Sequence, residues 1–185
     1  MIEKILENSQ RLQKLIGIKL YGDGGYWCGI VQEFNDEFIQ LKHFTKNGEL
    51  DGMAIEKIVD VERVDIDDDH LTAIKIVIEN RQKIRDIEIK SRIFTDLDDE
   101  NWQFVSLKPY ENDRNVLSSI QINNDDYYKG FVVSISEEFL KYEIIDNHGL
   151  SYGESLFKLE DINSIKINDL ECRRRLLIYK TLNVS

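Results

Sequence analysis

Residues 26–68 read YWCGIVQEFNDEFIQLKHFTKNGELDGMAIEKIVDVERVDIDD and align without a gap on residues 127–169, which read YYKGFVVSISEEFLKYEIIDNHGLSYGESLFKLEDINSIKIND. The offset between the two stretches is 101 residues, and 11 of the 43 aligned positions are identical. Chance at ordinary composition would give about three identities. The sequence therefore predicts two copies of one structural unit.

The pattern within each copy is typical of short β-strands. Apolar residues alternate or cluster in short runs, and Asn47-Gly48 and its counterpart Asn147-His148-Gly149 are suited to tight hairpin turns. The first copy contains five such runs: Ile16–Tyr21, Tyr26–Phe34, Glu37–Thr45, Gly52–Glu56 and Arg63–Ile66. Because a flat sheet of five short strands leaves exposed edges, a mainly β fold of two tandem five-stranded barrels is predicted, with a few short helices.

Segments outside the aligned stretches complete the predicted organisation. Apolar residues at helical spacing over residues 2–16 predict an amphipathic helix that closes one barrel end. Asp68 and Asp169 are suited to N-capping a short helix after each copy, although the alternation over residues 73–79 leaves a strand open there. The predicted domains are residues 1–80, a connecting segment at 81–110, and residues 111–185.

The connecting segment lies outside both aligned stretches and has no counterpart elsewhere in the chain. Ile84, Ile87 and Ile89 indicate a short strand, and residues 96–101 read as an exposed acidic loop. Trp102–Leu107 is predicted to be a further strand that ends before Pro109. The segment is expected to act as a linker or an extra layer.

Composition limits the classes of function. The chain has 35 acidic and 24 basic residues, a net charge of −11, which disfavours nucleic-acid binding and is compatible with a basic protein partner. No run of about 18 apolar residues exists, so no membrane span is expected. Only two cysteines, Cys28 and Cys172, occur, which indicates a reducing compartment, and a cytoplasmic location is predicted.

No motif predicts catalysis or metal binding. His43, His70 and His148 do not have metal-ligand spacing, and neither cysteine has a histidine nearby in sequence. Asp65-Ile66-Asp67-Asp68-Asp69 lacks the Gly and Glu positions of a calcium loop, and Gly22–Gly25 lacks the spacing of a phosphate-binding loop. Catalytic residues, metals and cofactors are therefore not expected.

Two kinds of residue are candidates for partner binding. The aromatic pairs Tyr26-Trp27 and Tyr127-Tyr128 begin the second strand of each copy, where they are placed either to form a recognition groove or, by strand alternation, to pack in the core. Acidic residues of the first copy add candidate contacts: Asp65, Asp67 and Asp69. The basic run Arg173-Arg174-Arg175 is interpreted as a solvated helix face.

The order of these signals resembles the Sm-like (Src-homology-3-like) class of small barrels. The residues that carry the resemblance are Gly29-Ile30-Val31, Asn35–Leu41, Gly48, Asp51-Gly52, Ile55, Ile58 and Val61. A similar pattern occurs in uncharacterised bacterial tandem-repeat proteins. The Asn that Sm-like RNA binders carry is replaced by Ile39 and Leu140, and their Arg-Gly pair by Glu56-Lys57 and Phe157-Lys158. The resemblance therefore implies the fold, whereas these positions lack the polar groups that contact a base.

A non-catalytic protein-binding or scaffolding role follows from these observations, with an unidentified protein as partner. One alternative is an acidic inhibitor or immunity-type protein that masks a basic site on a toxin or nuclease. A second alternative is an Sm-like RNA-binding protein.

Overall fold

The computed structural model describes residues 1–22, 25–86, 102–124 and 127–183. The chain divides into two compact units, residues 1–81 and 82–185. Each unit contains one antiparallel five-stranded sheet, and the described residues also form four helices. The prediction of a mainly β protein with two five-stranded sheets and a few helices is confirmed.

The first unit begins with a helix, and a single 3-10 turn joins its fourth strand to its fifth. The elements are α1 (Ile2–Leu12), β1 (Ile16–Leu20), β2 (Tyr26–Phe34), β3 (Phe38–Phe44), β4 (Leu50–Lys57), the 3-10 turn Ile58–Asp60, β5 (Val61–Asp65) and α2 (Asp69–Asp86). The order across the sheet is β4-β3-β2-β1-β5, so β5 returns to pair with β1.

The second unit repeats this order. Its elements are α3 (Trp102–Leu107), the 3-10 turn Lys108–Tyr110, β6 (Ser118–Ile122), β7 (Tyr127–Ile135), β8 (Phe139–Ile145), β9 (Ser151–Lys158), the 3-10 turn Leu159–Asp161, β10 (Ile162–Ile167) and α4 (Leu170–Leu182). The sheet order is β10-β6-β7-β8-β9. Strands β7, β8 and β9 begin and end 101 residues after β2, β3 and β4, the offset that the alignment predicts.

The predicted closed barrels are not confirmed. β5 pairs with β1 and β10 pairs with β6, but no pairing within the described residues joins β4 to β5 or β9 to β10. The chain passes between these strands through three-residue 3-10 turns, Ile58–Asp60 and Leu159–Asp161. Such a turn sends the chain round a corner rather than into a hairpin, so the strands on either side of it do not pair and each sheet is open.

The two helices that follow the fifth strands begin at the predicted caps. The Asp68 carboxylate accepts a hydrogen bond from the backbone N–H of Leu71 at 2.7 Å, and Asp169 accepts one from Cys172 at 2.8 Å. These bonds satisfy N–H groups that a helix start leaves unpaired. The alternative of a strand over residues 73–79 is wrong, because α2 runs through them and buries Ile74 and Val77.

The prediction of a strand at Trp102–Leu107 is also wrong, because these residues form helix α3. Six residues are too few for apolar spacing to distinguish a helix from a strand. α3 packs on its sheet through Leu107, which is fully buried, and Leu6 of α1 is fully buried in the core of the first unit. Both helices precede the first strand of a sheet and place a fully buried leucine in its core, so the repeat extends towards the N-terminus beyond the aligned stretch.

The other predictions for the connecting segment have different outcomes. Ile84 lies in α2 rather than in a strand. Ile87, Ile89 and the acidic loop at 96–101 lie outside the described residues.

Helix α1 confirms an amphipathic helix over residues 2–12, whereas Ile16, the last residue of the predicted spacing, begins β1. The helix is attached to the sheet by a buried serine. The Ser9 hydroxyl donates to the carbonyl of Lys14 at 2.7 Å and accepts from the backbone N–H of Val31 at 3.1 Å. The pairing of β2 with β3 shifts register between Val31 and Glu33. Ser9 therefore satisfies a backbone donor at a bulge, where the ladder is interrupted.

Candidate functional site

A groove with a volume of about 430 Å³ lies in the first unit, between one face of the sheet, helix α2 and the end of α1. Its floor is apolar because Ile30 and Phe44 occupy the same sheet face and α2 adds Leu71 and Ile78. The lining residues are Leu12, Gln13, Lys14, Leu15, Ile30, Phe44, Asp67, Leu71, Thr72, Lys75, Ile78 and Glu79.

Charged side chains form the rim of the groove. Lys14 pairs with Asp67 at 2.5 Å, and Lys75 lies 4.0 Å from Glu79. These pairs are largely exposed, so each contributes little to stability and can exchange partners at small cost. The rim can therefore adapt to the charges of a bound group.

Lys42 stands beside the groove without a carboxylate partner among the described residues. It lies directly across the β2–β3 ladder from Ile30, and its Nζ is 5.8 Å from the centre of the Phe44 ring. Because residues paired across an antiparallel ladder point to the same face, the Lys42 ammonium is next to two lining residues of the groove.

The same place in the second unit is filled. Phe131 and Tyr179 replace Ile30 and Ile78 at the 101-residue offset, and their rings meet edge-to-face with 5.1 Å between centroids. The Arg114 guanidinium lies 4.8 Å from the centre of the Phe131 ring and pairs with Glu143. The second unit thus occupies with its own side chains a space that the first unit leaves open.

The residue that meets Arg114 is the counterpart of Lys42. Glu143 pairs across the β7–β8 ladder with Phe131, as Lys42 does with Ile30 in the first unit. Burial acts to raise the pKa of Glu143, but hydrogen bonds from Arg114 and Ser151 bring it below its usual value. The side chain at this strand position is therefore negative in the filled unit, where it is Glu143, and positive in the open unit, where it is Lys42.

Tyr26 and Trp27 point to opposite faces of the sheet. Tyr26 packs against the cluster under α2, lies over Gly17 and contacts the ring of His70 with 5.5 Å between centroids. Burial raises the pKa of the Tyr26 hydroxyl, and the charges of Asp68 and Asp65 add to the shift. Trp27 packs against the central core of the unit and contacts His43 with 5.0 Å between ring centres.

Tyr127 and Tyr128 also separate to opposite faces. The Tyr127 hydroxyl donates to Ser164 at 3.1 Å, and the Lys166 ammonium lies 4.3 Å from the centre of its ring. Tyr128 is 38% exposed and lies against Phe157 with 5.3 Å between ring centroids. Neither aromatic pair forms a single groove, because adjacent strand residues alternate in direction.

The three candidate aspartates are spread along the junction between β5 and α2. Asp65 pairs with Arg63 at 2.7 Å, Asp67 pairs with Lys14 on the groove rim, and Asp69 is exposed in the first turn of α2. Asp67 alone of the predicted site residues lines the groove. A role for the remaining candidates in partner binding stays a prediction.

Apart from Asp67, the groove residues were not among the candidates from sequence, although the repeat contains a signal for them. Ile30 faces Phe131 in the alignment, and continuing the same offset places Ile78 opposite Tyr179. Both differences put a smaller side chain in the first unit where the sheet meets the helix, whereas Phe44 and Leu71 of that unit are larger than their counterparts Ile145 and Cys172. That these two differences fall at one interface becomes clear only once the helix after the fifth strand is known to pack on the sheet face that carries Ile30 or Phe131.

The basic run Arg173-Arg174-Arg175 is not a solvated helix face. Arg174 is 3% exposed and donates to the carbonyl of Asn147 at 3.0 Å, and Arg175 donates to the carbonyl of Ile145 at 2.6 Å. Glu171, one turn earlier, lies 3.4 Å from both guanidinium groups. These arginines hold α4 against the β8–β9 hairpin, whose carbonyls accept their hydrogen bonds.

The two cysteines are buried, and His43 and His148 each lie near an aspartate. Cys28 and Cys172 are both free and buried, and burial raises the pKa of Cys28 to about 12, with a further contribution from the charge of Asp68. His43 lies 3.5 Å from Asp51, and His148 lies 3.6 Å from Asp146. No group of three or more His, Cys, Asp or Glu side chains suited to a metal ion occurs in the described ranges.

Within the part of the chain that the structure describes, no helix has both the length and the apolar character needed to cross a membrane. Comparison of the chain with protein-family models, with curated proteins and with solved structures gave no match.

Proposed function

We propose that this protein is a non-catalytic protein-binding or scaffolding protein and that the groove of its first unit holds a segment of the partner. The observation that carries the proposal is the difference between the two units at this place. Tyr179 and Arg114 cover Phe131 in the second unit, whereas the matching space in the first unit is open over an apolar floor.

The size and lining of the groove support a binding role. Its volume of about 430 Å³ lies within the range of ligand-binding sites, and its floor is apolar with charged groups at the rim. The potential nucleophiles Cys28 and Cys172 are buried with raised pKa values, which favours the inert thiol over the reactive thiolate. Both features favour recognition rather than chemistry.

The proposal is tested by filling the groove with the side chains that the second unit uses. The double variant Ile30→Phe/Ile78→Tyr and the wild-type protein are used in parallel as baits in extract of the native cell, with quantitative mass spectrometry. The control Leu156→Phe adds a ring at a position of the second unit that is 66% exposed. We expect a partner that wild type and control retain and the filled variant loses.

The opposite result is equally clear. If the filled variant captures the same proteins as wild type, the groove is not the binding site. Circular dichroism and thermal unfolding of the filled variant establish that any loss of binding occurs in a folded protein.

The acidic inhibitor or immunity-type role is a second candidate, favoured by the 16 acidic and 9 basic residues in residues 1–80. A complex held by this charge excess weakens steeply as salt rises, since exposed charges are screened. A complex held mainly by the apolar groove weakens much less. The dissociation constant of the captured partner, measured at low and high salt, distinguishes the two roles.

We also propose that the two units belong to the Sm-like type. The return of the fifth strand to the first in each sheet supports this, since it is the pairing that a small five-stranded barrel needs. Ile39 and Leu140, at the positions of the base-binding Asn, are fully buried, which disfavours RNA binding in the family manner. The free cysteines support a cytoplasmic location.

A further inference from the structure

We propose that the segment taken into the groove of the first unit is an acidic–apolar peptide of the partner, with an aliphatic or aromatic side chain on the floor and a carboxylate facing Lys42. This inference rests on the proposed function and specifies the chemistry of the partner. It follows from comparing the open groove with the filled place in the second unit.

The second unit shows which groups can cover this face of the sheet. A ring from Tyr179 and a guanidinium from Arg114 cover Phe131, and the guanidinium is held there by Glu143. The arrangement combines an apolar cover with one charge that neutralises the residue beside it. An occupant of the first unit is expected to supply the same two components from another chain.

The charge of that second component is set by the residue beside the groove. Lys42 holds the position of Glu143, and no carboxylate among the described residues pairs with it. An arginine placed as Arg114 is placed would meet a like charge, which is unfavourable in a partly desolvated site. A carboxylate at that place would instead form a charge-assisted hydrogen bond.

The other rim charges do not change this preference. Asp67 and Glu79 are the acidic residues of the rim, and each is neutralised by its own lysine, Lys14 or Lys75. Counting only residues that the structure describes, the charge next to the floor that has no partner of opposite sign is therefore positive, although the whole chain has a net charge of −11. The net negative charge of the protein disfavours highly negative segments. The local positive charge favours a segment that combines one carboxylate with an apolar side chain.

The test uses a phage-displayed library of random 12-residue peptides, selected on the wild-type protein and counter-selected on Ile30→Phe/Ile78→Tyr. We expect the selected sequences to contain an aliphatic or aromatic residue with Asp or Glu beside it. The best peptide, made synthetically, should bind Lys42→Glu at least about tenfold more weakly than wild type. Lys57→Glu makes the same charge change at an exposed residue outside the groove lining and should change the affinity by less than about twofold.

A repeat of the selection on Lys42→Glu should shift the enriched sequences from Asp and Glu to Lys and Arg, because the site then carries the charge of Glu143. Selected peptides could depend on the groove but carry basic or neutral residues beside the apolar one and bind Lys42→Glu as well as wild type. Such peptides would overturn the inference and leave the proposed function standing. Absence of any peptide that distinguishes wild type from the filled variant would overturn both.

Two further measurements test other occupants. Binding of dodecanoate to the wild-type protein but not to the filled variant, without peptide binding, would assign the groove to a lipid carboxylate and overturn the inference. Concentration-dependent self-association in sedimentation that the filled variant abolishes would assign the groove to a second copy of the chain, with the same consequence.

Discussion

A Cβ atom on Gly48 would lie 2.8 Å from the backbone nitrogen of Ile78, because the turn between β3 and β4 packs directly against helix α2. Gly149 and Tyr179 repeat this relationship in the second unit at 2.7 Å. Both glycines have positive φ angles, 69° and 75°. The hairpin turn and the helix therefore approach each other as closely as the backbone allows.

Gly48→Ala is expected to lower the free energy of unfolding by about 2–4 kcal/mol, since backbone strain and a steric clash add together. Gly52→Ala provides a matched control, because Gly52 has a φ of 74° with no atom within 4 Å of a Cβ. The control should cost only the strain, about 1–2 kcal/mol. Urea unfolding monitored by circular dichroism measures both, and equal costs would contradict the close packing.

Exchanging the residues that distinguish the filled and open places should have unequal effects. Tyr179→Ile removes a ring that packs on Phe131 and is expected to cost about 1–3 kcal/mol. Ile78→Tyr places a ring into the open groove and should cost less than about 1 kcal/mol. Thermal unfolding of the two variants measures the difference, and an equally large loss from Ile78→Tyr would show that the groove has no room.

The buried arginine of α4 is expected to contribute strongly to stability. Arg174→Ala leaves the carbonyl of Asn147 without its donor and should cost about 2–4 kcal/mol. Lys158→Ala is the control, because Lys158 and Glu160 form an exposed pair at 3.3 Å that should contribute less than about 1 kcal/mol. Similar midpoints for the two variants in urea would contradict a structural role for the arginine run.

The buried thiols should make the protein less stable at alkaline pH. Burial raises the pKa of Cys28 from 9.0 to about 12, so the folded protein keeps the proton that the unfolded chain loses. The stabilising contribution is complete below pH 9 and is lost by about 1.4 kcal/mol per pH unit as pH rises towards the folded pKa. Burial raises the pKa of Cys172 in the same direction.

Unfolding free energies at pH 8 and pH 10 check this expectation. Cys28→Ala should reduce the difference between the two pH values, and Cys28→Ala/Cys172→Ala should reduce it further. The comparison uses the pH difference within each variant, so the cost of removing the side chain itself cancels. A difference in the double variant as large as in wild type would assign the alkaline loss to other groups.

The repeat explains how much of the fold could be predicted. Aligning two copies reinforces weak local signals, so the turn at Gly48 and the caps at Asp68 and Asp169 were identified correctly. The helix at Trp102–Leu107 was missed because its six residues carry too little periodicity, and its relation to α1 rests mainly on the single pair Leu6 and Leu107. Closure of the sheets was predicted from general β-barrel geometry and was not found.

The candidate site was predicted less well, for a different reason. Strand alternation was considered for Tyr26 and Trp27, and they do point to opposite faces. The groove depends on contacts between β2, β3 and α2, which are distant along the chain, and a local pattern does not report such contacts. Arg174 and Arg175 show the same limit, because the carbonyls that accept their hydrogen bonds belong to the preceding hairpin.

The amino-acid sequence alone determined the duplication, the order of strands and turns within each copy and the start of the capped helices, because these depend on residue types and spacings over a few neighbouring positions. The tertiary structure decided that the sheets stay open, that α3 precedes the second sheet as α1 precedes the first, that Arg174 and Arg175 are structural and that the groove under α2 is open in the first copy. Each of these depends on whether side chains distant in sequence fill the space between packed elements. In the second unit Phe131, Tyr179 and Arg114 fill a space that stays open in the first unit, where Ile30 and Ile78 replace the two rings.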